Sequence, residues 1–544
     1  MPGARDRVVA ALVLVDLALG ALVAVEAPAA RMHVHALQVF HAVYVARHAV
    51  LVGHAIQSAA GAGAITAVVA LAATVGLLPS RSPTSTAYGS AAWNTGDALR
   101  QPRGLLVGRT PTAHLGDDAL RYSGEGHLLT VAPTRSGKGV SAVIPALLTF
   151  QGSMVVTDLK AENFAVTARA RRGMGQRVLA LDPFGVATGR SSETAAFNPL
   201  DRIDACRADA IDDARALADM LVVPDGRDAK EAFWDEEARA VLTGLILHAA
   251  SDSDPAERTL TAVHRLLSRG PRAFTALLKD MAASTAAGGA VARAAAQVAQ
   301  KGPRERAAVL STAQSHTHFL ESPRMAAVLG ETRVPFDRAI ASRAPTSLYL
   351  ILPPEHLDGY RRWLRLMIGS AIQRLTRRRQ SGIRTLFLLD EFAHLGRMRP
   401  VEQGVTLAGG YGATFWLLVQ SMAQLRSVYG EAAAGTFLAN ADVLQAFGIT
   451  DWETADHLSR LAGDATVRIG ATTTTARGET SHLDGERGRR LITPDEIRLL
   501  PPDRALLIVR GLSPIAARRA DYRRDRRFRG LYDGNPLHAG PVDG

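Results

Sequence analysis

The apolar positions along this 544-residue chain fall into three regimes. Up to about residue 80 they form long runs: "VVAALVLVDLALGALVAV" (8–25), apolar except for Asp16, and "IQSAAGAGAITAVVALAATVGLL" (56–78). Runs of that length predict two transmembrane helices, over about 8–26 and 56–78. From about Ser80 the runs shorten and alternate with helical patterns. "LLTV", "GSMVVTDLK", "QRVLALDP", "TSLYLILPP", "TLFLLDEF", "ATFWLLVQ" and "RALLIVRG" have the composition of strands buried on both faces. Strands separated by helices predict a mainly parallel, helix-covered sheet, hence an α/β domain. Residues 205–340 break the alternation, being rich in Ala and Arg with helical apolar spacing. They predict an all-α domain inserted between strands of the sheet. The α/β domain is thereby divided into 81–204 and 341–544, the second part ending in a short basic tail.

Residues 1–80 are thus expected to form a membrane anchor. Arg5 and Arg7 precede the first run and Arg81 follows the second, which puts both ends on the cytoplasmic side, although Arg31 and Arg47 weaken the bias. Two other readings stay open. Arg5, Arg7 and the "APAA" that follows the first run resemble a cleaved signal peptide. Residues 36–54, as a third span, would reverse the topology. Asp16 is costly in lipid and is expected to face another helix or water.

Charge and cysteine usage narrow the picture. Lys and Arg total 63 against 52 Asp and Glu, a net charge of +11. That favours an anionic partner, nucleic acid or acidic headgroups, without choosing between them. The single Cys206 excludes an intrachain disulfide and any cysteine-based zinc site. His33, His35, His41, His48 and His54 form a loose series with no carboxylates at ligand spacing, so no metal site is expected there.

The chemistry concentrates at "HLLTVAPTRSGKGVSAVIPALL" (127–148). A strand runs into a Gly/Ser/Lys loop and then a helix, the layout of a phosphate-cradling loop. Backbone N–H groups at the helix start bind phosphate oxygens, and the lysine neutralises their charge. The candidate nucleotide-binding residues are Pro133, Thr134, Arg135, Ser136, Gly137, Lys138, Gly139 and Val140. The stretch departs from G-x-x-x-x-G-K-[ST] at both ends, with Ala132 at the first glycine and Gly139 at the magnesium-binding hydroxyl. About 250 residues on, "TLFLLDE" ends in Asp390 and Glu391. This is a Walker B pattern, in which the aspartate holds magnesium and the glutamate orients or deprotonates the attacking water. A third strand, "ATFWLLVQ", ends at Gln420, where an amide can sense the γ-phosphate or the lytic water.

These residues resemble the type IV secretion coupling proteins, the TraG- and VirD-type ATPases of conjugation and effector secretion. The shared wording covers most of residues 120–530: "APTRSGKGVSAVIPALL", "VVTDLKAENF", "FNPLD", "FWDEEARAVLTGLIL", "LFLLDEFAHLG", "GGYGATFWLLVQSMAQL" and "LITPDEIRLLPPDRALLIVRG". The resemblance implies a RecA-like P-loop ATPase domain interrupted by an all-α substrate-recognition domain and tethered by two N-terminal transmembrane helices. It implies a homo-hexamer at the inner membrane that uses ATP and Mg²⁺. It also implies partners: DNA or nucleoprotein, protein effectors, and the components of a secretion channel. Carried over, Gly137, Lys138 and Gly139 bind phosphate, Asp390 and Glu391 form Walker B with Asp390 as the metal ligand, and Gln420 is the sensor. Glycine after the P-loop lysine is then a family trait. Asp158, Lys160 and Glu162 of "DLKAE" match a further family motif, with a solvated turn as the competing reading. Water, Thr134 or Ser136 would complete the magnesium shell, and Arg397 and Arg426 are candidates for the arginine supplied to a neighbouring subunit.

Three basic segments, 361–366, 374–380 and 518–529, suit a phosphate-tracking surface or, singly, solvated helix faces. The expected function is an ATPase that drives DNA or protein cargo into a type IV secretion channel. The alternatives are a membrane-bound substrate receptor with little turnover and an FtsK-type DNA translocase.

Overall fold

The computed structural model describes residues 85–537, apart from 113–116, 189–193, 224–228, 341, 343, 378–382 and 475–479. Both expected transmembrane runs, the histidine series and Arg378 and Arg379 of the second basic segment lie outside the described residues. Among the described residues no helix is long and apolar enough to cross a membrane.

An 11-stranded sheet organises the described chain. Its strands are β1 Leu105–Arg109, β2 Ala119–Tyr122, β3 His127–Val131, β4 Ser153–Asp158, β5 Arg177–Leu181, β6 Thr346–Ile351, β7 Thr385–Leu389, β8 Ala413–Val419, β9 Ala441–Ala446, β12 Arg504–Val509 and β13 Ile515–Arg518. A separate hairpin pairs β10 Asp464–Thr474 with β11 Thr480–Arg490. The strand order is β2-β1-β13-β12-β9-β3-β8-β7-β4-β6-β5. From β9 to β5 every neighbouring pair is parallel. From β9 to β2 every pair is antiparallel. "RALLIVRG" is therefore not part of the parallel core but the first antiparallel strand beyond it.

The central strands owe their position to composition. Every residue of β3, β4, β6, β7 and β8 is buried, as expected of Val/Leu/Phe-rich strands covered on both faces. Strand β9, "ADVLQA", carries Asp442 and Gln445 and lacks that signature. Gln445 is tolerated because its amide is satisfied on both sides: Thr130 donates to its Oε1 at 2.9 Å, and its Nε2 donates to the Val107 carbonyl at 2.8 Å.

Between β5 and β6 the regular elements among the described residues from Ala210 to Ile340 are all helices. These helices share one hydrophobic core with the sheet, in which Leu217, Leu221 and Leu245 join Leu364, Phe387 and Phe415. The architecture delivers the carboxyl ends of β3, β8, β7 and β4 side by side, where ligands bind in open parallel sheets.

Candidate nucleotide site

After β3 the chain turns through the loop and enters a helix that starts with a π-type turn, Gly139–Val143, and continues as Ile144–Thr149. Ala132 is buried at the end of β3 and donates its N–H to the Val419 carbonyl at 2.9 Å. Left-handed φ values fall instead on Arg135 (+63°) and Gly137 (+85°), so the loop makes its turn without a glycine at 132.

Three adjacent strand ends converge here. Lys138 follows β3, Gln420 follows β8, and Asp390 and Glu391 follow β7. The Lys138 ammonium donates to Glu391 Oε1 at 2.8 Å. The Gln420 amide donates to Glu391 Oε2 at 2.8 Å, and His394 Nδ1 stands 3.3 Å from the same oxygen. Both oxygens of Glu391 are thus engaged. Asp390 Oδ1 accepts the Glu391 N–H at 2.9 Å, and Thr157 Oγ1 donates to the Asp390 carbonyl, fixing the end of β7 against β4.

The electrostatics follow from burial and from who sits beside whom. Burial pushes the Asp390 carboxyl up to about 6, with Glu391 and Glu162 adding to the rise against the pull of Lys138. Burial alone would raise Glu391 too, but Lys138 and Gln420 hold it below the ordinary glutamate value. Asp158, at the end of β4, is pushed up to about 7 by burial. Its Oδ2 accepts the Phe164 N–H at 2.8 Å, whereas its Oδ1 has no hydrogen-bond partner.

Backbone strain concentrates around this junction. Four described residues other than glycine have positive φ: Arg135, Ala161, Ala287 and Glu391. Three of them belong to the loop, to "DLKAE" and to Walker B. Each left-handed alanine, arginine or glutamate costs on the order of 1 kcal/mol, and such strain persists where the surroundings enforce a working geometry.

Sequence reasoning missed two contributors. His394 has no signal beyond its place in "AHLG". Arg519 stands in the sequence as one member of a basic stripe, yet it clamps the loop from behind. Its Nη2 donates to the carbonyls of Ser136 (2.7 Å) and Gly137 (3.0 Å) and to Ser141 Oγ (2.6 Å), and its guanidinium lies 4.0 Å over the Phe447 ring. A side chain at Gly137 would collide with it, the added Cβ lying 2.7 Å from Nη2. Burial lowers Arg519 to about 10. Two of the hydroxyls are also accounted for: Ser136 Oγ donates to the Pro133 carbonyl and Ser141 Oγ to the Gly137 carbonyl, whereas Thr134 is exposed.

The family model described as type IV secretory system conjugative DNA transfer matches residues 94–533. The chain belongs to that family. It is 32% identical over 432 residues to a conjugal transfer protein TraG of Escherichia coli, an alignment covering 75% of this chain and 67% of the relative. To a protein VirD4 of Agrobacterium fabrum it is 28% identical over 454 residues, covering 79% of this chain and 64% of the relative. The chain thus spans about two thirds of the length of these relatives. Among solved structures, the plasmid coupling protein TrwB in complex with ADP and Mg²⁺ matches with a TM-score of 0.59 at 16% identity, over 81% of this chain and 96% of that one. The same protein with a non-hydrolysable ATP analogue matches with a TM-score of 0.60 at 15% identity, over 81% and 97%. These structures establish the fold as that of a coupling-protein P-loop domain.

The family's expected basic surface is distributed differently from the sequence clusters. Arg518 pairs with Asp118, Arg523 with Asp521, and Arg527 with Asp117, Asp118 and Asp525. Arg365 is buried, donating to the carbonyls of Leu395 (3.3 Å) and Arg397 (2.5 Å). Arg377 pairs with Asp213. A cavity of about 930 Å³ gathers Arg361 and Arg365 of the first segment with Arg239, Arg397, Arg399 and Arg426, against Asp219, Glu431 and Glu453. Its wall includes the segment that directly follows Walker B. Within the chain Arg397 is paired with Glu402, and Arg426 with Glu431 and Glu453.

Proposed function

We propose that this coupling-family chain binds ATP with magnesium at the β3–β8–β7 junction and hydrolyses it to move DNA or protein cargo into a type IV secretion channel. The observation that carries this is the Lys138–Glu391–Gln420 network at three adjacent parallel strand ends. The residues present suit the ligand. Loop N–H groups and Lys138 suit phosphate, and Asp390 and Glu391 are hard oxygen donors of the kind magnesium takes. Among the described residues no three histidine, cysteine, aspartate or glutamate side chains gather closely enough to hold a metal alone. Magnesium in phosphoryl-transfer sites is held by one or two carboxylates, water and the phosphates themselves. When bound, it would supply charge neutralisation at the transferring phosphoryl group.

The chain's own part is then to place Lys138 on the phosphates, Asp390 toward the metal, and Glu391 and Gln420 around the attacking water. With both Glu391 oxygens engaged, the base is held in reserve. A polyphosphate that draws Lys138 away would free Oε1 for water. This favours gated turnover, dependent on assembly and cargo, over a receptor with no turnover.

Further parts of the proposal rest on the family resemblance. They are a homo-hexamer, an anchor of two N-terminal helices at the inner membrane with the bulk of the chain cytoplasmic, and substrate recognition by the inserted helical region, residues 205–340. The arginine-lined cavity supports a nucleic-acid partner held through its phosphates, without base readout. In a transfer assay Lys138→Ala abolishes transfer while membrane insertion is retained. Transfer at the wild-type level in that variant contradicts the motor.

A further inference from the structure

Loops of this kind normally end G-K-[ST], and the hydroxyl of that last residue completes the magnesium shell. Here position 139 is glycine. Two of the other loop hydroxyls, Ser136 and Ser141, do not take its place, and Thr134 is exposed on the loop. Ser136 and Ser141 donate to loop carbonyls, and Ser141 Oγ also accepts from Arg519. What fills the space beside Gly139 is a carboxylate from another strand end. A Cβ added to Gly139 would lie 3.1 Å from Glu162 Oε1.

We propose that Glu162 stands in for the missing hydroxyl, its carboxylate ordering the hydration shell of the magnesium bound with ATP. This rests on the nucleotide reading above and assigns a further residue to the same site.

Three independent features hold Glu162 in that position. It is the first residue of the helix Glu162–Gly173. The residue before it, Ala161, has φ +59° and ψ 4°, a left-handed conformation an alanine adopts only under constraint. That turn swings the chain back from β4 toward the loop. Its Oε2 accepts a hydrogen bond from Asn535 Nδ2 at 3.1 Å, so a C-terminal residue tethers one oxygen and leaves Oε1 to face Gly139. The helix is itself locked to the sheet by the buried Arg171, which donates to Ser347 Oγ and to the carbonyls of Leu147 and Gly152.

A carboxylate is a stronger partner for metal-bound water than a hydroxyl, because its bond to that water is charge-assisted. Glycine at 139 follows from the same arrangement: any side chain there meets Glu162. The two positions thus form a pair, a small residue on the loop and a long acidic one on the neighbouring strand end.

The test uses the full-length chain in detergent and a fluorescent ATP analogue, titrated with magnesium and in excess EDTA. Manganese bound per nucleotide is counted by EPR. Glu162→Ala weakens metal-dependent nucleotide binding about 10-fold or more, in the range known for outer-shell ligands, while affinity in EDTA is unchanged. Adding Gly139→Ser to Glu162→Ala restores metal dependence by returning a hydroxyl to the loop. Glu162→Gln keeps the shape and loses the charge, and it shows a smaller loss than Glu162→Ala in the same direction. Wild-type metal dependence in both Glu162→Ala and Glu162→Gln overturns the proposal. So does a double variant no better than Glu162→Ala. A different result marks failure of the nucleotide reading itself: a wild-type chain that binds no nucleotide in either condition, or a Lys138→Ala variant that binds as the wild type does.

Discussion

The strand-end junction and the arginine cavity are both charged, and they are built in opposite senses. At the junction the strand ends carry the carboxylates Asp390, Glu391 and Glu162, Lys138 is bonded to Glu391, and Arg519 is bound to the loop carbonyls. In the cavity six arginines line the walls against three carboxylates. A polyphosphate approaching the junction meets carboxylates and needs a divalent cation to be accepted. A polyanion approaching the cavity meets an excess of arginine, part of it paired with Asp219, Glu402, Glu431 and Glu453, and needs no divalent cation. The two regions should therefore answer to different solution variables, the junction to magnesium and the cavity to salt. They are joined by the few residues from Glu391 to Arg397, which leave Walker B and become cavity wall.

The largest effect should come from removing the lysine that bonds Glu391. Lys138→Ala is expected to abolish ATP binding, read by equilibrium titration, while DNA binding at low salt persists. Parallel loss of both would erase the distinction between the regions. Next, Glu391→Gln should slow hydrolysis by roughly 100-fold or more, the scale of a lost general base, and retain bound ATP. Wild-type turnover in that variant removes Glu391 from the catalytic role.

Arg519→Ala is expected to act on the junction from behind. The guanidinium bonds two loop carbonyls and packs on Phe447, so its loss should weaken ATP about 10-fold and lower the melting temperature, with the salt dependence of DNA binding untouched. In the cavity, Arg361→Ala with Arg399→Ala should flatten the plot of log DNA affinity against log salt by about 2, close to 1 for each phosphate no longer neutralised. Arg518→Ala, in the C-terminal cluster, should instead lower stability through its broken pair with Asp118 and leave that slope unchanged.

The smallest effect concerns pH. Asp158 is raised from 3.8 to about 7 in the fold, so its ionisation opposes folding, and the opposition grows as pH rises from about 4 through 7. Asp158→Asn should therefore gain stability relative to the wild type at pH 8 compared with pH 5, by on the order of 1–3 kcal/mol. Melting curves in EDTA at the two pH values measure it, and a gap independent of pH contradicts the assignment.

Contiguous features were legible in the sequence and assembled ones were not. The loop around Lys138, the DE pair and the strand-end Gln420 each follow an apolar run, and the structure brings them to adjacent strand ends. The central parallel strands were visible because burial on both faces forces continuous Val/Leu/Phe, whereas β5, also read as buried on both faces, is an edge strand with Arg177 exposed. Strand β9 was not visible, since Asp442 and Gln445 interrupt its apolar character and only the partners of Gln445 explain it. The hairpin β10–β11 is Thr-, Gly- and Arg-rich and carries no burial signal. The C-terminal arginines misled because aspartates up to about 400 residues away in sequence neutralise them. The cavity takes Arg361 and Arg365 from the first basic segment, but its Arg239, Arg397, Arg399 and Arg426 are scattered along the chain and only the fold gathers them. Glu162 stands out in the sequence only as part of "DLKAE", for its relation to Gly139 exists only across the sheet.

The account stands most directly on ATP turnover by the full-length chain, measured across protein concentrations that span assembly, with and without single- and double-stranded DNA, beside Glu391→Gln. It predicts magnesium-dependent turnover that rises with concentration and with DNA and disappears in the variant. ATP that binds but is not hydrolysed under any of these conditions would contradict it and leave a nucleotide-binding receptor in its place.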